Sequence, residues 1–320
     1  MAHILVTGAA GFIGLAVTRA LVARGDRVSA LDVEIGPALA ALAARHRSVR
    51  ALAGEIADGA AVAALVGADP PDGVIHCAAI VGVIHSVRAP ARTMRVNVEG
   101  SINLLEAMRL HGVWRMVHIS SEEVYGAFRG PVADEDHPQS PVGPYGVSKL
   151  AVEHLARFYR ARHGITTAHL RTSWVYGPGL PRARVPKIFI DAALDGRPLH
   201  LAAGAELAVD HTYIDDAVDG VLRALDLPVH PFDAYNIGSG AAPRLDEMAA
   251  IVCDLVPGAE LTVGPGPYDH GSVEGVPIPS VPKGALDLRR AREVLGYVPR
   301  FDIRRGLADY IARERAARSG

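Results

Sequence analysis

Short apolar runs alternate with longer segments of helical length through the first 120 residues of the chain. The apolar runs resemble buried parallel strands and span residues 3–7, 27–31, 49–52, 73–77 and 116–120. The longer segments between them span residues 12–24, 37–45, 59–66 and 91–111. Alternation at this spacing predicts an α/β fold with a doubly wound parallel sheet.

The pattern changes after Gly177. A further helix over residues 145–163 and a strand over 166–170 precede this point, and prolines at 178, 181 and 186 follow it. Helix and strand patterns return at 213–225 and 234–237. We therefore predict a cofactor domain over residues 1–176, to which 209–240 return. A smaller, discontinuous C-terminal substrate lobe is predicted from residues 177–208 and 241–320.

Composition narrows the function classes. The chain is 49% hydrophobic and 21% charged, with a formal net charge of −2 and no block of like charges, which argues against a nucleic-acid or membrane-surface role. Its two cysteines, Cys77 and Cys253, form neither a disulfide framework nor a metal cluster, and no metal site is predicted. The N-terminal segment lacks the pattern of a signal peptide and no apolar run reaches membrane-spanning length, so a cytoplasmic location is expected.

The first predicted strand runs directly into a glycine-rich turn and then an apolar helix. Gly8, Gly11 and Gly14 allow a tight turn and a close approach of the backbone to a pyrophosphate, which the helix N-terminus attracts. Asp32 ends the second strand, 18 residues after Gly14. A carboxylate there accepts hydrogen bonds from ribose hydroxyls and repels a 2′-phosphate. The sequence thus predicts a Rossmann domain that binds NAD in preference to NADP.

Tyr145 and Lys149 lie one helical turn apart and share one helix face. An ammonium group beside a phenol favours the phenolate, and a positively charged nicotinamide adds to this effect. Tyr145 then accepts the proton of a substrate hydroxyl while hydride leaves for the nicotinamide. Ser121, at the carboxyl end of a predicted strand, lies where ligands bind in open α/β sheets and is predicted to hydrogen-bond the same substrate oxygen.

Eight motifs in order resemble the extended short-chain dehydrogenases/reductases of the NAD-dependent sugar epimerase/dehydratase family. They are TGAAGFIG at 7–14, HCAA at 76–79, NVEG at 97–100, SSEEVYG at 120–126, YGVSK at 145–149, VYGPG at 175–179, YIDD at 213–216 and NIGSG at 236–240. The resemblance implies a catalytic triad of Ser121, Tyr145 and Lys149, with Lys149 also holding the nicotinamide ribose. Besides the glycines, Asp32, Tyr145 and Lys149, it implies an NAD site lined by Phe12, Ile13, Val33, Glu55, Ile56, Cys77, Ala78, Ala79, Asn97, Ile119 and Thr172.

Two consecutive carboxylates, Glu122 and Glu123, follow Ser121. Family members that dehydrate or decarboxylate sugars carry Glu at the second of these positions. A carboxylate pair beside a keto intermediate removes a proton from the neighbouring carbon and protonates a leaving hydroxyl. The alternative is that one glutamate faces solvent and the other caps a backbone amide.

The substrate end departs from the family pattern. Trp174 and Val209 stand where nucleotide-sugar enzymes tend to carry the Asn and Arg that approach the diphosphate, which weakens the expectation of a nucleotide-linked substrate. Arg182, Arg184 and Lys187 are able to substitute, but are interpreted as ordinary surface charges. The substrate contacts predicted here are His85, Ser86, Ser121, Glu122 and Trp174.

Three functions remain open from the sequence. The leading hypothesis is an NAD-dependent epimerase or dehydratase acting on a sugar or nucleotide sugar. The second is a net NAD-dependent dehydrogenase of a free sugar, sugar acid or polyol. The third is a non-catalytic NAD-binding scaffold, which commonly lacks the Tyr or Lys. By resemblance, the helices over 91–111 and 145–163 are also expected to form a homodimer interface.

Overall fold

The computed structural model describes residues 1–268, 271–278 and 280–319. Its centre is a seven-stranded sheet in which every neighbouring pair is parallel, in the order β3-β2-β1-β4-β5-β6-β7. The strands are β1 (His3–Thr7), β2 (Arg27–Asp32), β3 (Val49–Ala53), β4 (Gly73–His76), β5 (Arg115–Ser121), β6 (Thr166–Thr172) and β7 (Ala234–Ile237). Strand order reverses direction at β1, so the carboxyl ends of β1 and β4 form the crevice where ligands bind in such sheets. The predicted doubly wound Rossmann sheet is confirmed.

Helices cover both faces of the sheet. They are α1 (Phe12–Ala23), α2 (Pro37–Arg45), α3 (Gly59–Ala68), α4 (Val83–Arg88), α5 (Pro90–Met94), α6 (Gly100–His111), α7 (Pro144–His163), α8 (Lys187–Leu194), α9 (Ile214–Asp226), α10 (Leu245–Leu255), α11 (Arg289–Leu295) and α12 (Ile303–Ser319). Helices α1, α2, α9 and α11 pack on one face, and α3, α6 and α7 on the other. The single helix predicted over 91–111 is instead α5 and α6 joined by a π-helical turn at Arg95–Glu99.

The strands form because their apolar residues are buried on both sides. All five residues of β1 are buried, as are the four of β4. Helix α7 begins with Pro144 after Gly143 and ends at Gly164, whose φ of 76° is the left-handed conformation that closes many helices. Such boundaries fix where each side chain of α7 points.

A second, smaller core lies beyond the carboxyl ends of the strands. It is built by α8, α10 and α12 with two short parallel pairs, Trp174–Tyr176 with His211–Tyr213 and Leu199–Leu201 with Leu261–Val263. Phe189, Leu245 and Leu307 are fully buried in it. This smaller core is built from segments that are discontinuous in sequence, in the region for which a substrate lobe is predicted.

The lobe boundaries differ from the predicted ones at two places. The segment over 174–176, predicted in the cofactor domain, packs with the smaller core. The chain also returns to the large domain near its end: Ala285–Leu286 pairs with Val132–Ala133, and Leu288 and Tyr297 join the core of the main sheet. Pairing of these two short segments in a separate two-stranded sheet decides this second return, and no local pattern in the sequence predicts it. Among the described residues, no helix has the length and apolarity of a membrane span.

Candidate active site

The loop between β1 and α1 is built for close backbone contact. Gly8 has φ of 67°, and a Cβ there would lie 2.7 Å from the backbone nitrogen of Ala78. A Cβ on Gly14 would lie far inside contact distance of the Gly8 carbonyl oxygen. Helix α1 starts after Gly11 with no side-chain cap, so its first N–H groups are open to an anion. These features fit the pyrophosphate of NAD.

Asp32 lies at the end of β2, beside this loop. One of its carboxylate oxygens accepts a hydrogen bond from the Ala10 backbone N–H at 2.8 Å. Asp32 therefore fixes the glycine-rich loop while the rest of its carboxylate faces the cleft. That placement suits recognition of the adenosine ribose.

One continuous cleft of about 1180 Å³ joins the two lobes. Every residue predicted to bind NAD lines it except Asn97, namely Gly8, Gly11, Phe12, Ile13, Gly14, Asp32, Val33, Glu55, Ile56, Cys77, Ala78, Ala79, Ile119, Tyr145, Lys149 and Thr172. The side chain of Asn97 is buried and bonded to both the N–H and the carbonyl of Ile80, and to the Ser148 hydroxyl. In this structure Asn97 thus ties α7 to the loop after β4 and stands behind the cleft wall.

The predicted catalytic side chains meet in the same cleft. Tyr145 and Lys149 project from the first turns of α7, and Ser121 ends β5. The Lys149 ammonium donates to the Ile119 carbonyl at 2.7 Å and lies 5.9 Å from the centre of the Tyr145 ring. Strand β5 and helix α7 together determine this arrangement.

Burial controls the protonation of this pair. It raises the pKa of Tyr145 to about 12, against the opposing influence of the Ser121 hydroxyl and the cations Arg182 and Arg184. It lowers the pKa of Lys149 to about 8. The chain alone thus holds the phenol protonated, contrary to a simple reading of the Tyr–Lys spacing. A positively charged nicotinamide bound beside the phenol would favour the phenolate.

Glu122 and Glu123 occupy a short 3₁₀ turn after Ser121 and both line the cleft. Glu122 is 1% exposed, and neither of its carboxylate oxygens has a hydrogen-bond partner among the described residues. Burial raises its pKa to about 7, and the neighbouring Glu123 adds to the effect. Glu123 is more open, and its backbone N–H donates to the Ser121 hydroxyl at 3.2 Å. A cleft carboxyl whose pKa is raised by burial is suited to acid–base catalysis.

The substrate end of the cleft contains a tryptophan and two arginines. Trp174 and His85 line it as predicted, and the Arg184 guanidinium lies 4.0 Å from the centre of the Trp174 ring. Arg182 also lines the cleft and donates to the Val81 carbonyl at 3.2 Å. The interpretation of these two arginines as ordinary surface charges is therefore wrong, because the loop after Gly177 folds back over the cleft.

Ser86 and Lys187 complete the comparison with the sequence-based assignments. Ser86 is fully buried, and its hydroxyl donates to the Val83 carbonyl at 2.8 Å. It does not line the cleft, so in this structure Ser86 is not placed to contact a substrate as predicted. Lys187 pairs with Asp191 on α8 at 2.6 Å, as a surface charge does. No group of three or more potential metal ligands occurs among residues 1–268, 271–278 and 280–319.

Sequence reasoning missed several residues near the site. Arg88, Arg92 and Tyr268 line the cleft, and Lys283 lies 3.4 Å from a carboxylate oxygen of Glu123. The short distance in sequence from Arg182 and Arg184 to the VYGPG motif was an available signal. For Lys283, 160 residues after Glu123, no comparable signal exists in a single sequence.

Comparison with known proteins agrees with this geometry. Residues 4–238 match the model of the NAD dependent epimerase/dehydratase family. The chain belongs to this family, within the extended short-chain dehydrogenases/reductases. It is an NAD-dependent enzyme of that group, and structures with NAD bound are known among its neighbours.

Individual relatives cover almost the whole chain. It is 32% identical over 310 residues to a UDP-glucose 4-epimerase from Mycolicibacterium smegmatis, covering 95% of this chain and 96% of the relative. It is 33% identical over 323 residues to a dTDP-glucose 4,6-dehydratase from Streptomyces griseus, covering 97% and 93%. Among solved structures, MoeE5 in complex with UDP-glucuronic acid and NAD has a TM-score of 0.85 at 31% identity, covering 98% of this chain and 99% of MoeE5. The first two relatives are named for different reactions, so similarity alone does not select one.

Proposed function

We propose that this enzyme is a sugar-nucleotide dehydratase, which oxidises a sugar hydroxyl, eliminates water from the keto sugar and then reduces the product. The observation that carries the proposal is the buried carboxyl of Glu122 beside Glu123, at the end of the strand that bears Ser121. An epimerase returns its hydride to the same carbon and needs no second acid–base pair. Elimination of water needs both a base and an acid.

The first half of the reaction uses Tyr145, Ser121 and Lys149. Bound NAD supplies the hydride acceptor and later the hydride donor. Tyr145 accepts the proton of the sugar hydroxyl, and Ser121 hydrogen-bonds the same oxygen as it becomes a carbonyl. Lys149, held by the Ile119 carbonyl, places positive charge beside the phenol and is positioned to hold the nicotinamide ribose.

The second half uses the two glutamates. Glu123 takes the proton from the carbon next to the new carbonyl, and the electron pair of that C–H bond forms a carbon–carbon double bond. Glu122 gives its proton to the hydroxyl leaving the following carbon, which departs as water. The protein then holds Glu123 protonated and Glu122 ionised. During reduction Glu123 returns its proton to the same carbon, and the proton that Tyr145 took from the sugar hydroxyl replaces the one that Glu122 lost in the water.

Arg182 and Arg184 support a nucleotide-linked substrate. Neither has a carboxylate partner among the described residues, and both face the cleft. Guanidinium groups match phosphate oxygens well. These two cations thus offer the phosphate-binding groups that Trp174 and Val209 cannot provide. The lack of such groups was the main support for a dehydrogenase of free sugars, and that support is removed. The presence of Ser121, Tyr145 and Lys149 in one cleft argues against a non-catalytic scaffold.

The test is turnover of UDP-glucose, dTDP-glucose and UDP-glucuronic acid beside free glucose and glucuronate, followed by mass spectrometry and NADH absorbance. We expect loss of one water from a sugar nucleotide without NADH accumulation. Glu122→Gln should slow water loss by about 10²–10⁴-fold while oxidation of the sugar persists. Tyr145→Phe should abolish both steps. An epimerised product with all its oxygen retained would contradict the dehydratase proposal, and steady NADH release would favour the dehydrogenase.

Arginine variants test the substrate class. Arg182→Met and Arg184→Met should each raise KM for the sugar nucleotide by about 10–100-fold, the value of one lost charged hydrogen bond. Arg197→Met, at an exposed surface pair, is the matched control and should leave KM unchanged. Equal KM values in all three variants would contradict a phosphate-binding role.

We also propose a homodimer formed through α6 and α7. Leu110 on α6 and Phe158 on α7 are each 58% exposed, and Trp114, just after α6, is 48% exposed. Large apolar side chains grouped on neighbouring helices are typical of an interface. Sedimentation velocity should report a dimer at micromolar concentration, and Phe158→Glu should shift it to monomer. A monomeric wild type would contradict the proposal.

A further inference from the structure

Lysine is rare in this chain and its positions are informative. It occurs only at 149, 187 and 283, whereas the other basic positions among the 33 Lys and Arg residues are arginine. Lys149 belongs to the catalytic pair, and Lys187 pairs with Asp191 on α8. Lys283 has neither role, and its side chain is only 6% exposed. An ammonium group is a compact charge, and a buried one is stabilised when a group of opposite charge lies beside it.

The partner is Glu123. The Lys283 ammonium lies 3.4 Å from one carboxylate oxygen of Glu123 and 5.5 Å from the centre of the Phe128 ring. It has no hydrogen-bond partner among the described residues. Lys283 is not among the residues that line the cleft, whereas Glu122 and Glu123 are. Its charge therefore acts beside the cleft, on Glu123 as an ion-pair partner and on Glu122 by favouring the ionised form.

The backbone on both sides of Lys283 is fixed. The Phe128 N–H donates to the Pro282 carbonyl at 2.8 Å, and the Ala285 N–H donates to the Pro131 carbonyl at 2.9 Å. Gly284 packs so closely on the Pro131 carbonyl that any Cβ would clash with it. The lysine is thus held against the site by the return of the chain to the main sheet.

Several charges face the two glutamates. Glu122 is influenced by Lys283 and Arg184, which favour its ionised form, and by Glu123 and Asp210, which oppose it. Arg182 and Tyr145 face the same space. The buried carboxylate of Asp210 is occupied by N–H donors, including those of Ser239, Gly240 and Leu286, so it is not available as a proton carrier. The ionisation of Glu122 therefore depends on the charges packed around it, Lys283 among them.

We propose that Lys283 is a positioning residue that pairs with Glu123 and so assigns the two roles, with Glu123 the ionised base and Glu122 the protonated acid. The chemical use of this assignment rests on the proposed dehydratase function. The division of charge itself does not require a substrate. The Lys283 ammonium lies within ion-pair distance of a Glu123 oxygen, whereas neither oxygen of the more buried Glu122 has a hydrogen-bond partner among the described residues, so the asymmetry follows from position.

The first test is the pH dependence of water elimination by the NAD-loaded enzyme. Removing a positive charge makes both carboxyls harder to ionise, so Lys283→Met should move both limbs of the profile to higher pH by about 1–3 units. Lys283→Arg should restore the wild-type profile, and Lys187→Met is the matched control that should leave it unmoved. A Lys283→Met profile that falls in height at every pH without moving would overturn the inference.

The second test separates this inference from the proposed function. Carboxyl-¹³C glutamate is incorporated into the NAD-bound protein, and Glu122→Gln and Glu123→Gln assign the two resonances. In the wild type we expect Glu123 to be ionised at a pH where Glu122 is still protonated, and the difference should shrink in Lys283→Met. If no sugar nucleotide is turned over, the proposed function fails, yet this titration still decides the role of Lys283. An unchanged titration in Lys283→Met, with an unchanged melting temperature, would overturn it.

Discussion

Replacing Arg171 by methionine tests how the catalytic helix is anchored to the sheet. Arg171 on β6 is 1% exposed, and its Nε and Nη2 donate to the two carboxylate oxygens of Glu153 at 3.1 and 2.7 Å. Glu153 on α7 is completely buried and also accepts from the Ser120 hydroxyl at 2.7 Å. Tyr145, Lys149 and Glu153 follow one another at four-residue spacing, so this pair fixes the rotation of α7.

The expected cost follows from leaving one buried charge unpaired. In Arg171→Met the Glu153 carboxylate keeps only the Ser120 hydroxyl and the 3.5 Å contact with Arg157. Breaking a buried ion pair in this way lowers the free energy of unfolding by about 3–5 kcal/mol at neutral pH. Glu153→Leu with Arg171→Met removes both charges, and the double variant should be more stable than either single variant.

The contribution of the Arg171–Glu153 pair to the free energy of unfolding depends on pH. Although burial opposes ionisation, Arg171 and Ser120 hold the pKa of Glu153 below its ordinary value of 4.5. The pair therefore stabilises the folded protein above that pH, and its contribution is lost as the pH falls below it. In Arg171→Met the buried carboxyl takes up a proton instead. The difference between the wild type and Arg171→Met should be largest near neutral pH and shrink in acid.

The assay is urea unfolding followed by circular dichroism, from neutral to mildly acidic pH. Arg197→Met, at an exposed pair with Asp195, is the control and should change the unfolding free energy by less than about 1 kcal/mol. An Arg171→Met protein within about 1 kcal/mol of the wild type at neutral pH would refute the reasoning. So would a double variant as unstable as the sum of the singles, because that result means the two groups do not interact.

Three further predictions concern the cofactor site. Gly14→Ala should weaken NAD binding by at least about 10-fold in calorimetry because its Cβ meets the Gly8 carbonyl, while Gly130→Ala, with open space around it, should bind normally. Asp32→Asn keeps an acceptor for the Ala10 N–H but removes the charge, so the ratio of NADP to NAD affinity should rise; an unchanged ratio in competition assays would argue against a ribose contact. Burial raises the pKa of the Cys77 thiol to about 12, so iodoacetamide should modify Cys77 slowly at neutral pH and more slowly still with NAD present; rapid labelling by mass spectrometry would contradict this.

Local pattern was sufficient for the cofactor half of the molecule. The strand, glycine turn and helix around Gly8 and Gly14 are contiguous, and each residue there acts on its immediate neighbours. Tyr145 and Lys149 are likewise related by one helical turn. Such relations depend on short spacings along the chain, so the sheet could be predicted from the sequence. The residues predicted to bind NAD, apart from Asn97, and the predicted catalytic pair line one cleft.

Other parts of the prediction needed long-range information. Asn97 and Ser86 carry the expected residue types, yet their side chains are turned into hydrogen bonds with Ile80 and Val83. Arg182 and Arg184 are interpreted from the sequence as surface charges because the nearby VYGPG motif places their loop close to the site but does not show that the loop closes over the cleft. The observed lobe boundary also differs from the predicted one because of a long-range contact. Residues 132–133 pair with residues 285–286, which lie far away in the sequence.

The sequence by itself determined the fold class and the cofactor and predicted the catalytic pair, because each depends on residues close together along the chain. Tertiary structure decided which site groups are protonated and which charged groups lie beside them. Burial gives Glu122 its raised pKa, and the late return of the chain brings Lys283 to Glu123 across 160 residues. Desolvation and the distance between charges depend on what packs around a group, which a single sequence does not specify. Tyr145 illustrates both kinds of information. Its position follows from the sequence motif, whereas its raised pKa follows only from the groups packed around it.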